Sequence, residues 1–143
     1  MAISVLLLGS RSFIGKSLLE YWEQAAGGAL GVTGISSAQL DLTDRDAVDD
    51  FFSKNSYDYV ILSAVAISNV EASLAMFFNV VRNSKSYGLL INLGSGAEYD
   101  PARYIPTMPE DYAKGAFPDS GYPLIKAVQG KFIEQDEDIR GGN

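Results

Sequence analysis

The feature that most restricts the fold of this chain is an apolar run, Ile3 to Leu8, interrupted only by Ser4 and closed by Gly9 and then Gly15. A strand with no polar alternation has to be covered on both faces, the situation of a strand inside a parallel sheet. Tyr59 to Val65 is a second such run, and Leu30 to Ile35 and Leu89 to Leu93 read as two shorter strands. Segments of helical spacing separate them. Phe13 to Ala26 carries Ile14, Leu18, Leu19 and Trp22 on one stripe and is stopped by Gly27-Gly28. Asp41-Leu-Thr-Asp44 opens the next helix, with Thr43 or Asp44 as N-cap and Val48, Phe51 and Phe52 turned inward. Ser73 to Ser84 follows with Leu74, Phe77, Phe78 and Val81, and a last helix is predicted from Tyr122 to about Glu137, Pro123 being tolerated in its first turn. Strand and helix alternate, which predicts an α/β fold with a parallel sheet. The long loop between them, Tyr99 to Gly121, exceeds what a connection needs and is expected to serve function.

Composition narrows the chemistry. At 143 residues the chain is expected to form one domain with a real core. It has neither cysteine nor histidine, which removes disulfides, Cys/His zinc sites and every Ser-His-Asp scheme, so no metal site is expected. Proton transfer is left to Tyr, Lys, Asp or Glu. A net charge of -7 disfavours nucleic acid and anionic membranes as partners. The acidic clusters, Asp41 to Asp50 and Glu134 to Asp138, read as solvated helix faces. The first residues lack a basic n-region and are too few to span a bilayer, so a cytoplasmic protein is expected.

The segment from Gly9 to Gly15 has two ligand readings. A P-loop needs two glycines five apart before Lys and Ser/Thr; Gly15-Lys16-Ser17 supplies the ending, but Gly9 lies six residues ahead of Gly15. No carboxylate ends the Tyr59 to Val65 run to hold magnesium. In the dinucleotide reading, Gly9 makes the tight turn and Gly15 lets helix and strand approach. The amides of Arg11, Ser12, Phe13 and Ile14 then face the pyrophosphate at the helix N-terminus. Ser12 stands where a third glycine is usual and offers a hydroxyl to phosphate. A plain strand-to-helix turn without ligand is the third alternative. The dinucleotide reading makes the fold a Rossmann-like, doubly wound parallel sheet in three αβα layers. Thr33-Gly-Ile-Ser-Ser37 brings no carboxylate for an NAD ribose, whereas Arg11 and the two serines suit a 2'-phosphate. NADP or NAD is therefore the expected cofactor, with a lean to NADP; Arg11 as an ordinary surface charge stays open.

Tyr122 and Lys126 lie at i and i+4, on one helix face. A phenol with an ordinary pKa near 10 is a poor base at neutral pH, but a neighbouring ammonium favours its phenolate. Such a tyrosine can take a proton from a sugar hydroxyl or return one to a ketone as hydride moves. Ser95, after the fourth strand, could hydrogen-bond the same oxygen at the sheet end where α/β proteins bind ligands. A packed tyrosine beside a solvated lysine is the bland alternative.

Taken in order, Val5-Leu-Leu-Leu-Gly9 through Gly15, Asp41-Leu-Thr-Asp44, Tyr57 to Leu62, Gly94-Ser-Gly-Ala-Glu-Tyr-Asp100 and Tyr122 with Lys126 resemble the extended short-chain dehydrogenase/reductases, specifically the NAD-dependent epimerase/dehydratase family acting on nucleotide sugars. The short segment ahead of Asp41 is more like the family's sugar-nucleotide reductases. The resemblance implies that Ser95 positions the substrate oxygen, that Tyr122 is the acid/base, and that Lys126 binds cofactor ribose and tunes the tyrosine. It also implies that Asp41 and Leu42 contact adenine, and that Ala64 and Val65 lie under the nicotinamide ribose. Read from the residues alone, Asp41 could be a helix-start carboxylate and Ala64-Val65 simple strand core. Pro123, Leu124 and Ile125 depart from the small polar residues usual between Tyr and Lys. Family enzymes continue past this point into a substrate domain, so residues 1–143 are expected to be the cofactor domain without it. That predicts an exposed sheet edge, a homo-oligomer, and either impaired turnover or a non-catalytic NAD(P)-binding module.

Overall fold

The computed structural model describes residues 2–25, 28–99, 105–109, 111 and 117–136. Strands β1 (Ile3–Leu8), β2 (Leu30–Ile35), β3 (Tyr57–Leu62) and β4 (Tyr87–Asn92) alternate with helices α1 (Phe13–Ala25), α2 (Arg45–Lys54), α3 (Val70–Val81) and α4 (Gly121–Gln135). All pairings are parallel and the order is β2-β1-β3-β4. The order reverses between β1 and β3, so the carboxyl ends of these two strands open a crevice, the usual ligand position of a doubly wound sheet.

Side chains alternate across a strand, and the register sorts them into two layers. Leu6, Leu8, Val60, Leu62 and Leu90 form the larger core with Val48 and Phe52 of α2 and Phe77, Val80 and Val81 of α3. Val5, Leu7 and Ile61 point the other way, against Leu18, Leu19 and Trp22 of α1. α4 joins the larger core through an edge-to-face cluster, with the Phe132 ring 5.9 Å from Phe77 and 5.1 Å from Phe78. This cluster fixes the helix that carries Tyr122 and Lys126.

Several predicted stripes are turned or shortened. Ile14 is exposed, because it lies in the first turn of α1 beyond the strand it follows. α3 starts at Val70, capped by Asn69, whose side chain accepts the Ala72 N–H. Its buried face is accordingly Ser73, Phe77, Asn79, Val80 and Val81, with Phe78 half out. β3 ends at Leu62, since Ser63 turns away after donating its N–H to the Leu8 carbonyl. Asp44, not Thr43, caps α2 by accepting the Ala47 N–H. Ala26, Gly27, Asp100, and Glu137 and Asp138 of the second acidic cluster lie outside the described residues.

Tyr87, buried beside Phe52, donates its hydroxyl to the Val80 carbonyl at 3.0 Å. Burial, with Asp136 adding to it, pushes the phenol well above its ordinary value of 10.0. Above that ordinary value the unfolded chain sheds the proton while the folded one keeps it. The unfolded state then binds fewer protons, and stability falls as pH rises. Tyr87→Phe is expected to cost about 1 kcal/mol at neutral pH through the lost hydrogen bond, and to flatten the alkaline decline. Urea titrations at neutral pH and above pH 10 check both signs.

Candidate active site

The turn after β1 is built by two unavoidable glycines. Gly9 has φ +91, a conformation costly for any residue with a Cβ. A Cβ there would sit 2.6 Å from the Ala64 nitrogen, and one on Gly15 would sit 2.2 Å from the Gly9 carbonyl oxygen. The first glycine lets β1 abut the chain leaving β3, and the second lets α1 start directly over the turn. Gly9 and Ser10 both donate their N–H groups to the Ile35 carbonyl, tying the turn to the end of β2.

Ser12 has a different use from the one its sequence position suggested. Its Oγ accepts the Gly15 N–H at 3.0 Å and lies 3.1 Å from the Ser63 hydroxyl. Ser63 Oγ in turn lies 3.0 and 3.1 Å from the Leu8 and Gly9 carbonyl oxygens, which take its proton. Ser12 is thus the cap of α1 and shares a hydrogen bond with Ser63. Helical geometry leaves the N–H groups of Phe13 and Ile14 without intrahelical acceptors, and the Phe13 side chain is 87% exposed. The anion-attracting capacity of this turn therefore rests on backbone amides and the helix dipole.

Beside the turn is a cleft of about 300 Å³. Gly9, Arg11 and Ser12 form one wall, Ser36 and Ser37 the end over β2, and apolar residues including Leu42, Ala64 and Val65 the rest. Leu42 rather than Asp41 faces this space. The exposed Asp41 carboxylate accepts the backbone N–H and the hydroxyl of Thr43, at 2.9 and 2.7 Å, and these bonds hold it below the usual carboxylate range. Three polar residues not singled out in the sequence brace the cleft. Gln39 Oε1 accepts the N–H and hydroxyl of Ser36. The buried Asn79 amide donates to the Leu42 and Thr43 carbonyls. Ser73 Oγ accepts the Ala66 N–H and donates to its carbonyl, pinning the Ala64–Ala66 wall.

The proton-transfer candidates gather at the end of β4, beyond this cleft. Lys126 is 6% exposed, and its ammonium donates to the Leu93 carbonyl at 2.8 Å and to Gln129 Oε1 at 3.3 Å. Gln129, itself buried, also accepts from the Asn92 amide at 3.4 Å. The ammonium stands 5.7 Å from the Tyr122 ring centroid, one helical turn away. Burial lowers the lysine's pKa, and the negative charge of Glu98 opposes that shift. Ser95 Oγ accepts the Ala97 N–H at the start of a 3-10 turn, Gly96–Tyr99. An oxygen used as acceptor still has its own hydrogen to give. The ends of β2 and β4 lie three strand spacings apart, about 14 Å.

The P-loop alternative does not survive. Ser17 donates its hydroxyl back to the Phe13 carbonyl at 3.0 Å, and neither Lys16 nor Ser17 lines the cleft. A family model, the NAD dependent epimerase/dehydratase family, matches residues 5–135. GDP-L-fucose synthase of Azorhizobium caulinodans is 28% identical over 91% of this chain and 46% of its own length. Among solved structures, GDP-mannoheptose C4 reductase from Campylobacter jejuni with NADP bound superposes with TM-score 0.79 at 23% identity, over 93% of this chain and 46% of that one. The Bordetella bronchiseptica enzyme WbmG in complex with NAD and UDP gives TM-score 0.71 at 19% identity, over 96% and 51%. The chain spans about half the length of these proteins, and the structural likenesses establish the fold.

Proposed function

The chain belongs to the NAD dependent epimerase/dehydratase family, and from that premise we propose that it supplies the cofactor-binding and proton-transfer part of an NAD(P)-dependent nucleotide-sugar epimerase, dehydratase or reductase. The observation that carries this reading is the buried Lys126 ammonium, anchored to the end of β4 one turn from Tyr122 and beside the Ser95 loop. The residues present fit a dinucleotide. Gly9 and Gly15 shape the tight turn, where no Cβ has room, the amides of Phe13 and Ile14 head α1 directly after it, and Leu42 offers an apolar wall to an adenine. When bound, a nicotinamide cofactor supplies the hydride acceptor or donor.

The chain's own residues then handle the proton. Ser95 donates a hydrogen bond to the substrate oxygen and fixes it against Tyr122. Tyr122 takes the hydroxyl proton as a sugar carbon is oxidised, or gives its phenolic proton to the oxygen of a ketone being reduced. The Lys126 charge favours the phenolate in either direction. As pH rises through the depressed pKa of Lys126 this assistance is lost, at lower pH than for a free lysine.

Arg11 and Ser37 both line the cleft and suit a ribose 2'-phosphate, while Ser36 is bonded to Gln39. This supports NADP over NAD. Thermal unfolding with NADP, NAD or ATP-magnesium tests the reading, because a ligand of the folded state raises the melting temperature by mass action. A shift with NADP, reduced in Arg11→Ala to about the NAD level, is the expected result. No shift with either dinucleotide overturns the proposal, and a shift without turnover on any nucleotide sugar favours a non-catalytic binding module. Nucleotide-sugar substrate and cytoplasmic location come to this chain with the same proposal; no described helix is long and apolar enough to cross a membrane. Among the described residues β4 is an edge strand, and Tyr59 and Ile91 are part-exposed on the α1 side of the sheet. Both support self-association, since open edges and apolar sheet faces invite pairing.

A further inference from the structure

A glycine in the third turn of α4 is out of place by propensity, since glycine is among the least favourable residues in a helix interior. Tyr122, Lys126 and Gly130 stand at i, i+4 and i+8, on one face of the helix. The space over Gly130 is occupied. A Cβ there would lie 2.9 Å from Glu98 Oε2, and a Cβ on Gly94 would lie 3.3 Å from Glu98 Oε1. The same Oε1 accepts the Ser95 N–H at 3.3 Å, and the Glu98 N–H donates to the Ser95 carbonyl at 3.1 Å. One carboxylate is therefore wedged between the loop that carries Ser95 and the helix that carries Lys126, with two glycines making room for it.

We propose that Glu98 is the positioning residue of this site, holding the Ser95 loop against α4 and providing the charge balance for the Lys126 ammonium. The surroundings leave it that task. Among the described residues, the groups set against the ammonium are Tyr122 on its own helix, the uncharged Gln129, the Leu93 carbonyl just past β4, and Glu98 from the 3-10 turn. Leu93 and Gln129 satisfy hydrogen bonds without neutralising charge. Burial works against the charged lysine, and the Glu98 charge works for it. Glu98 and Lys126 form no direct ion pair, so the carboxylate acts through space and leaves the ammonium free to serve Tyr122 and a ribose.

The inference rests on Lys126 being the partner of Tyr122, and its test avoids both cofactor and turnover. Lysine 13Cε resonances followed by NMR through an alkaline titration of the intact chain read Lys126 directly, with Lys126→Arg identifying its signal. In Glu98→Gln the Lys126 midpoint is expected to move to lower pH, a change of roughly tenfold in its ionisation constant, the order expected for losing one nearby opposite charge. Gly130→Ala, which displaces the carboxylate without removing it, is expected to move the midpoint the same way by less. A Lys126 midpoint unchanged in the folded Glu98→Gln protein overturns the proposal. Should that variant not fold, an unchanged midpoint in Gly130→Ala does so instead. A dinucleotide shift missing from the wild-type protein is a separate failure, of the cofactor reading alone.

Discussion

Gly15→Ala is expected to lower the melting temperature by roughly 5–15 °C and to abolish the shift given by NADP. The added methyl would start 2.2 Å from the Gly9 carbonyl oxygen, a backbone atom that cannot swing aside. α1 must lift off the turn or the turn must open, an overpacking cost of about 2–4 kcal/mol, and the temperature range follows from the usual dependence for a domain of this size. Either movement breaks the Ser12 cap on the Gly15 N–H and displaces Gly9, Arg11 and Ser12, which line the cleft. Binding should therefore fall further than stability. Gly31→Ala is the control. Its Cβ would meet nothing nearer than 3.8 Å, and a change within about 0.5 kcal/mol with the dinucleotide shift intact is expected. An unaltered NADP shift in Gly15→Ala would mean that the cofactor does not use this turn.

The same glycines explain why so much of this molecule could be read from its sequence. β1 falls where its apolar run places it, Ile3–Leu8, because a strand buried on two faces leaves a compositional mark within itself; β2, a half-exposed edge strand, keeps its expected bounds, Leu30–Ile35, without that mark. Gly9 and Gly15 are legible for a similar reason, as local backbone geometry demands them. What the sequence did not disclose is polar bracing across long separations. Ser63 reaches back to the carbonyls that end β1, Asn79 of α3 holds the carbonyls ahead of α2, and Gln129 joins α4 to β4. Each is an unremarkable residue until the sheet order makes its partner a neighbour. Ser12 shows the converse. Its place in the glycine turn suggests phosphate, but a serine three residues before a helical N–H is also a cap, and its oxygen accepts the Gly15 N–H. Gly130 carried a signal that went unused, a glycine where helix propensity argues against one.

Tyr122→Phe is expected to reduce turnover by about 10²–10⁴-fold, the usual contribution of a placed acid/base, while leaving the NADP-induced rise in melting temperature as it is in the wild type. The two readouts separate because the phenol lies at the start of α4, at the β4 end of the sheet, whereas the cleft walls come from the turn after β1 and from the ends of β2 and β3. Loss of one oxygen from a partly exposed ring leaves the Lys126 anchors, the Leu93 carbonyl and Gln129, in place. Hydride transfer followed at the nicotinamide absorbance, over a panel of nucleotide sugars, is the measurement. The pH profile adds a sign. Wild-type activity should decline on the alkaline side as the buried Lys126 gives up its proton, earlier than an exposed lysine would, since burial depresses its pKa. In Tyr122→Phe that limb should vanish, because a lysine charge with no phenol to act on has nothing to lose. Unchanged turnover, or an unchanged alkaline limb, would remove Tyr122 from the proton path and with it the role of Lys126.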